Sequence, residues 1–417
     1  MSVARLLIPL LLLGSSTRSW SQAVPDLPDR YRGDVAGNRA RPAYDPLGVR
    51  LGSFIARADG DIDIGYNSNL FGRASQVVGD GYLKLGPALW LTSDWGRHAL
   101  ELSAAADLTR FFSLGSQNTD EYRAHAGGRL EIGDRLTILP NLDFAREAEP
   151  RGSSGNRLTI GEPLFQRQLS ANIGVRYAGN LVSAELLLAF RRDRYEPVGI
   201  NGAFFSQRMR DSNGTGGRAT LLYKVLPAMS VLVQGVADEI SNPHKEFCCM
   251  RDAHGYAVLG GVRFDPSGLI AGQIAIGVRR RFFEGTGTSS HGFTYDARVQ
   301  WYPTELLTVE LRADQQFRNS GISDANAVLV NRQTLGITWE MYRNLNIFLQ
   351  AGREGDHYRQ VRASTELKSI SLRATYTSRR ALQLSAFAIY QASASNRPSL
   401  ATRYDALRTG VSVRLRI

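Results

Sequence analysis

The last stretch of the chain alternates between two classes of residue: Leu407, Thr409, Val411, Val413, Leu415 and Ile417 on one parity, Arg408, Gly410, Ser412, Arg414 and Arg416 on the other. A strand sends successive side chains to opposite faces, so the pattern predicts a strand with one face against an oily medium and arginines on the other. The alternation recurs in Leu307, Val309, Leu311 and Ala313 against Thr308, Glu310, Arg312 and Asp314, and again in Leu345, Ile347, Leu349 and Ala351 against Asn346, Phe348, Gln350 and Gly352. About 18 such segments can be marked, near 51–68, 80–94, 98–112, 120–132, 135–147, 165–178, 181–195, 208–225, 229–240, 252–265, 268–284, 291–302, 305–319, 326–341, 344–355, 359–376, 380–393 and 403–417. A count of 16 is the alternative. The apolar parity mixes Ala and Gly with Leu and Val, unlike the large, close-packing residues of a soluble sandwich, and the segments exceed the usual strand length. Together these features predict an all-β, antiparallel up-and-down transmembrane β-barrel.

Short and long connections alternate. Tight turns fall at Asp94-Trp95-Gly96-Arg97, Gly133-Asp134, Ala178-Gly179-Asn180, Leu226-Pro227, Asp265-Pro266-Ser267-Gly268, Tyr302-Pro303, Tyr342-Arg343-Asn344 and Ser378-Arg379-Arg380. Longer polar stretches lie between them, near 148–164, 196–207, 241–251, 285–290, 320–325 and 394–402. Outer-membrane barrels carry short periplasmic turns and longer external loops, which puts both termini in the periplasm. Aromatics add two girdles. Trp90, Tyr177, Tyr223, Trp301, Trp339 and Tyr376 are expected on the lipid face near the short turns, and Phe144, Phe190, Phe282, Phe317 and Tyr390 near the loops.

Residues 1–23 read as a secretory signal, with Arg5 as its charged start, Leu6 to Leu13 as its apolar core and Ser21-Gln22-Ala23 as its cleavage site. That core is shorter than the roughly 20 residues of a spanning helix. Residues 24–49 are rich in Pro, Arg, Asp and Gly without a period and read as an irregular periplasmic segment. The barrel is expected over residues 50–417.

Fifty Lys plus Arg face 39 Asp plus Glu, a formal net charge of +11. An exported location argues against nucleic acid as the partner of that charge. Parity assigns to the lumen the basic residues Arg57, Arg123, Arg129, Arg176, Arg191, Arg218, Lys224, Arg263, Arg279, Arg281, Arg298, Arg312, Arg373, Arg408, Arg414 and Arg416. The acidic ones are Asp59, Asp61, Asp63, Glu101, Asp107, Glu131, Asp143, Glu185, Asp296, Glu310 and Asp314. Arginine is in excess, which biases a channel towards anions, while cross-strand pairing neutralises much of the field or merely stiffens the interior.

Catalytic chemistry is weakly represented. His125 faces the lumen, and Ser103 and Asp107 on the preceding strand are the raw material of a nucleophilic triad, although chance co-occurrence in a polar interior explains them as well. His244, His254, His291 and His357 fall in or beside loops and His98 in a turn. Cys248 and Cys249 are adjacent, a spacing poorly suited to metal and better suited to a local disulfide or two idle thiols. No Walker loop, dinucleotide fingerprint or zinc-protease helix occurs, so no catalytic residue, cofactor or metal is expected.

The chain reads Tyr44-Asp45-Pro46-Leu47-Gly48-Val49-Arg50-Leu51-Gly52-Ser53-Phe54 ahead of the first strand and Tyr66-Asn67-Ser68-Asn69-Leu70-Phe71 at its end. This resembles the opening of the type 2 β-barrel porin family of Gram-negative bacteria, in which a Tyr-Asp-Pro-x-Gly-x-Arg-x-Gly-Ser-Phe stretch leads into the barrel and a Tyr-x-x-Asn-x-Phe stretch follows. The resemblance implies an outer-membrane barrel often associated with exopolysaccharide production. Its partners would be outer-membrane lipid, the barrel-assembly machinery and polysaccharide export components. Terminal Ile417 departs from the aromatic that commonly closes such barrels. Pro46, Gly48 and Gly52 are expected to shape the chain's entry into the first strand, and Asp45 is expected to pair with Arg50. Three functions fit: a pore for polysaccharide export or display, a general or anion-preferring diffusion porin, and a plugged structural barrel that docks an envelope partner through Asp29 to Arg41.

Overall fold

The computed structural model describes residue 36 and residues 39–151, 161–244, 252–266, 268–284, 287–319, 327–358, 361–397 and 403–417. Eighteen long strands follow one another: β1 (Phe54–Asn67), β2 (Asp80–Ser93), β3 (Ala99–Phe111), β4 (Thr119–Ile132), β5 (Leu136–Ala148), β6 (Phe165–Ala178), β7 (Val182–Tyr195), β8 (Ser212–Leu226), β9 (Met229–Ser241), β10 (Ala253–Phe264), β11 (Ile270–Phe283), β12 (Thr288–Thr304), β13 (Leu307–Asn319), β14 (Ala327–Tyr342), β15 (Leu345–Tyr358), β16 (Ala363–Arg379), β17 (Leu382–Ser395) and β18 (Tyr404–Arg416). Each pairs antiparallel with the next in sequence, and β18 returns to β1 with Arg414 opposite Asp61 and Val413 opposite Ile62. The ring is therefore closed and leaves no long free edge, the condition for burying a sheet in hydrocarbon. An even strand number places both barrel ends of the chain beside the short turns.

The alternation becomes an inside and an outside. Ile62, Ile64, Leu85, Leu89, Leu142, Leu188, Val233, Val278, Leu311, Ile370 and Val411 are all exposed large apolar residues on one face of the ring. The opposite parity carries buried polar groups, among them Asp63, Asp107, Glu185, Arg218, Gln234, Gln273, Arg281 and Glu340. A soluble sheet shows the reverse arrangement. At the turn end Tyr177, Tyr223, Trp301, Trp339 and Tyr376 stand exposed, and at the loop end Phe144 and Tyr390 do so.

Two aromatics depart from the expected girdles. Trp90 pairs with Arg57 and Ser103, so it lies on the lumen face; the apolar parity of β2 is the other one, Leu83, Leu85 and Leu89. Phe317 packs against buried Phe283 and Ala253, with the Arg281 guanidinium 5.9 Å from its ring. The β12–β13 register ends at Asp296 opposite Asp314, while β13 continues with β14 to Asn319, so the upper part of β13 leaves β12 and carries Phe317 with it.

On β10 and β11 the wall is closely apposed. A Cβ on Gly277 would lie 1.9 Å from the Val258 carbonyl oxygen, and one on Gly261 would lie 2.0 Å from that of Ile274. Backbone, not a movable side chain, fills these spaces. Gly277→Ala is expected to destabilise the folded barrel by about 2 kcal/mol or more, through displaced β10–β11 hydrogen bonds. Heat-modifiability on gels checks this as a lower unfolding temperature, with Gly235→Ala, where a Cβ meets open space, as the control that stays at the wild-type temperature.

Candidate functional site: the lumen and its two mouths

Register fixes which charges meet. Lys84 on β2 stands directly opposite Asp63 on β1, and its Nζ lies 3.1 Å from Asp63 Oδ2 and 3.2 Å from Asp107 Oδ1 on β3. Arg123 on β4 takes the other Asp107 oxygen at 2.9 Å. One buried chain of alternating charge thus crosses four strands. Where the barrel closes, Arg414 donates from Nε and Nη2 to the two Asp61 oxygens at 2.5 and 2.7 Å, the bidentate geometry that favours arginine over lysine. Asp59 lies opposite Arg416 in the same register.

Other pairs skip strands. Arg263 on β10 donates to both oxygens of Glu185 on β7, at 2.9 and 3.0 Å, while Gln273 on β11 accepts from the same guanidinium. Arg176 on β6 approaches Glu185 at 3.7 Å. The inward curve of the wall makes such chords possible. They pave over an apolar floor of Leu222, Leu232, Ala257, Leu259 and Ala275, which points inward and is buried. Arg281 reaches Asp238 across β10 at 2.6 Å, where the residue between them is Gly255 and a Cβ would touch the Arg281 side chain. Arg298 and Arg312, opposite each other, share Glu310; Arg332 holds Glu354 at 2.9 Å; Arg191 holds Asp193 at 2.8 Å; Arg129 holds Glu131 at 3.2 Å. Arg373 lies over the Phe387 ring at 5.0 Å, and Arg408 is set opposite Asn67. Arg218, Arg279, Asp296 and Asp314 border a recess in the wall. Glu101 lies opposite Gly127 on the lumen parity, and Lys224 opposite Ser230 near the turn end.

The residues weighed as a triad are arranged differently. Ser103 is opposite His125, yet the imidazole Nδ1 lies 2.7 Å from Asp143 on the far side, and Asp107 is engaged by Lys84 and Arg123. His244 meets Asp211 at 3.1 Å, and His254 stacks on Phe282. Cys248 and Cys249 lie outside the described residues.

The two halves of the sequence motif build opposite ends of the barrel. Gly48 has φ +71° and Gly52 φ +61°, so the three-residue strand Val49–Leu51 folds back on β1 with Arg50 opposite Ile55. This hairpin corrects the expected Asp45–Arg50 pair. Arg50 sits instead on Asp94 in the β2–β3 turn, and Asp45 accepts the Arg41 amide at 2.5 Å. Ahead of it the chain is strapped along the lumen side of the turn end. Buried Ala36 donates its amide to Thr308 at the start of β13, Arg39 approaches Glu305 at 3.7 Å, Arg380 donates twice to the Pro42 carbonyl, and Arg416 donates to the Tyr44 carbonyl at 2.9 Å. The strap thus runs from the β12–β13 turn to the seam where the barrel closes.

At the loop end Asn69, buried, donates to the Arg73 and Asp405 carbonyls, tying the β1–β2 loop to β18. Tyr66 faces outward at the top of β1. Phe71 lies beneath Arg73 and Arg151, with ring distances of 4.8 and 5.2 Å. Arg151 is the node of this end. Its Nη2 donates to Gln117 Oε1 at 2.6 Å and to the Gly161 carbonyl at 2.7 Å, and its own carbonyl accepts from Tyr404. Burial, with the Arg73 guanidinium beside it, draws Arg151 down to about 10. Glu162 donates its amide to Gly199, and Arg210 grips Glu149 at 2.8 Å with both side chains buried. Four connections and the start of β18 are thereby laced together over one mouth.

Lys84, Gln117, Glu149, Arg151, Arg210 and Tyr404 were not singled out by sequence reasoning. Lys84 carried a readable signal, being on the lumen parity of β2 directly across from Asp63. The loop residues carried none, because their partners lie in distant segments.

Outside the wall, Glu196 just beyond β7 accepts from Arg146 at 2.9 and 2.7 Å and from Arg167 at 2.7 Å. The Arg146 hydrogen bonds, with those of Arg167, hold its carboxyl below the usual carboxylate range despite partial burial. A depressed folded-state value stabilises the fold above the ordinary value near 4.5, and that contribution is lost as pH falls through the depressed one. Heat-modifiability between pH 5 and 2 is expected to show an acid-side decline that is smaller in Glu196→Gln; equal declines would contradict the assignment.

The chain matches the family described as Putative beta-barrel porin 2 over residues 41–417. It belongs to that family. The match begins within the strap and spans the whole ring, so this member's entrance segment and barrel fall inside one family unit. Its sequence matches no curated protein. Among solved structures it is similar to the outer membrane protein OpdK of Pseudomonas aeruginosa, at 11% identity over 87% of this chain and 99% of that one, with a TM-score of 0.44. The ferric enterobactin receptor PfeA of the same organism aligns at 7% identity over 87% and 80%, TM-score 0.44. A bacterial polysaccharide outer membrane secretin aligns at 10% identity over 88% and 100%, TM-score 0.33.

Proposed function

We propose that this porin-family barrel is an outer-membrane pore that supports export or surface display of an exopolysaccharide, with both termini and the short turns in the periplasm. The reading treats residues 1–23 as a signal peptide and the chain as a channel, not an enzyme. The observation that carries it is a closed ring of 18 strands, a number that suits an aqueous lumen, lined by charge on its inner face. The barrel-assembly machinery would insert it, and export components would meet it at the turn end, beside the strap. Two experiments test the two parts. Planar bilayers should show conductance from the folded protein, and deletion of the gene should reduce the amount or length of surface polysaccharide. Silence in the first removes the pore; an unchanged surface in the second removes the polysaccharide.

An anion-preferring diffusion porin is the second reading. Reversal potentials in a salt gradient separate the readings, since the porin requires anion selectivity whether or not polysaccharide is made. The strap also suits a plugged barrel that docks an envelope partner. Removing residues up to Arg41 should then abolish recovery of the partner and leave insertion intact.

A further inference from the structure

Three arginines occupy directly paired positions on three neighbouring strands: Arg146 on β5 faces Arg167 on β6, and Arg167 faces Arg194 on β7. All three have the parity of exposed Phe144, Ile173 and Leu188, so they stand on the outside of the barrel, at its loop end. Like charges in direct register repel, and a sheet keeps such a row only where anions are supplied. The chain supplies little. Glu196 serves both Arg146 and Arg167, and Asp211 lies 3.9 Å from Arg194 while also accepting the Tyr195 amide and meeting His244.

One rung nearer the barrel's middle is Arg192, whose register partner is Leu169. It is exposed, 5.8 Å from the Phe190 ring, and makes no hydrogen bond or ion pair among the described residues. Arg167 uses Nε on Glu196 and leaves its two terminal nitrogens open; its side chain is 59% exposed. Arg167 and Arg192 are diagonal neighbours, a spacing that long side chains readily close. Phe165 lies under Arg146 at 3.8 Å and Phe190 beside Arg192, so aromatic rings of the sort that mark a membrane interface sit at the same height as the open guanidinium groups.

We propose that Arg167 and Arg192, backed by the Arg146–Glu196 pair, form a docking site for the phosphate headgroup of a lipid in the leaflet around the loop end. Two planar guanidinium forks match the oxygens of a phosphate, and the lipid's chains lie against Leu142, Leu169 and Leu188 directly below. The phosphate neutralises the like-charge row, which the protein's own carboxylates leave in net positive charge.

The site is tested with the full barrel in two vesicle compositions, phosphatidylcholine alone and phosphatidylcholine with phosphatidic acid. Unfolding temperature and lipid retained in native mass spectrometry are the readouts. Phosphatidic acid should raise the wild-type unfolding temperature, and Arg167→Gln/Arg192→Gln should retain it about tenfold less well and show no comparable rise over its own unfolding temperature in phosphatidylcholine alone. Arg167→Lys/Arg192→Lys keeps the charge and should recover part of the retention. Equal retention by wild type and the Gln variant overturns the proposal. Millimolar inorganic phosphate that reproduces the stabilisation in detergent overturns it in favour of a free-anion site. A cross-linked dimer lost in the Gln variant overturns it in favour of a contact between copies of the chain. None of these outcomes bears on conductance, so the pore reading stands or falls separately.

Discussion

Lys84→Met is expected to lower the stability of the folded barrel by about 3–5 kcal/mol, the usual cost of leaving a buried charge without its partner. Lys84 is the cation between Asp63 and Asp107, and all three side chains are largely shielded, at 13%, 7% and 8% exposure. Methionine fills the volume and removes the charge. Arg123 still serves one Asp107 oxygen, but Asp63 loses its ion pair in a buried site. The double variant that also carries Asp63→Asn should recover most of the loss, because it removes the stranded anion along with the cation and leaves Asp107 to Arg123. Urea unfolding in detergent micelles or vesicles measures both. If Lys84→Met cost less than about 1 kcal/mol, the four-strand charge chain would be a hydrated surface feature and the lumen wider on this side than the ion pairs indicate.

Arg151→Ala is expected to loosen the loop-end mouth without unfolding the wall. The substitution removes donors to Gln117 and Gly161 and the ring contact with Phe71 in one step. Hydrogen bonds from a charged donor contribute roughly 1.5–3 kcal/mol each, so losing two should make local opening about a hundredfold or more as frequent. The Glu162 amide, held by Gly199, should exchange correspondingly faster, and amides in the middle of β5 and β6 should keep their protection. Single-channel current should rise in the same variant. Unchanged exchange at Glu162 would mean that the loops hold one another without this node.

The barrel was legible because its physics is local. Parity along a strand decides inside from outside, and turn chemistry decides where strands reverse, so each strand segment read from the alternation coincides with one strand of the ring. Trp90 shows where this fails: on β2 the wall passes through Gly86, Pro87 and Ala88, apolar residues occur on both parities, and a Trp near a turn attracts assignment to the girdle. Phe317 fails for another reason, since parity holds only while β13 stays in register with β12. The chords from Arg263 to Glu185 and from Arg281 to Asp238 depend on curvature, which no single strand encodes. The motif is legible as a string, but the separate roles of its parts are not. Gly48 and Gly52 turn the chain back onto β1, while Asn69 and Phe71, in the loop beyond the other end of β1, anchor the opposite mouth.

The account rests on β18 and its neighbours separating lipid from water residue by residue. Single cysteines placed at 407, 408, 409, 411, 413 and 414 in a Cys248→Ser/Cys249→Ser background, reconstituted in vesicles and exposed to a small charged thiol reagent, test this most directly; Gly410, where a Cβ would meet the Ile64 carbonyl, and buried Ser412 are left unchanged. Positions 408 and 414 should be labelled and positions 407, 409, 411 and 413 protected. Uniform labelling, or protection of the arginine parity with labelling of the leucine and valine parity, would contradict a barrel with hydrocarbon outside and charge within.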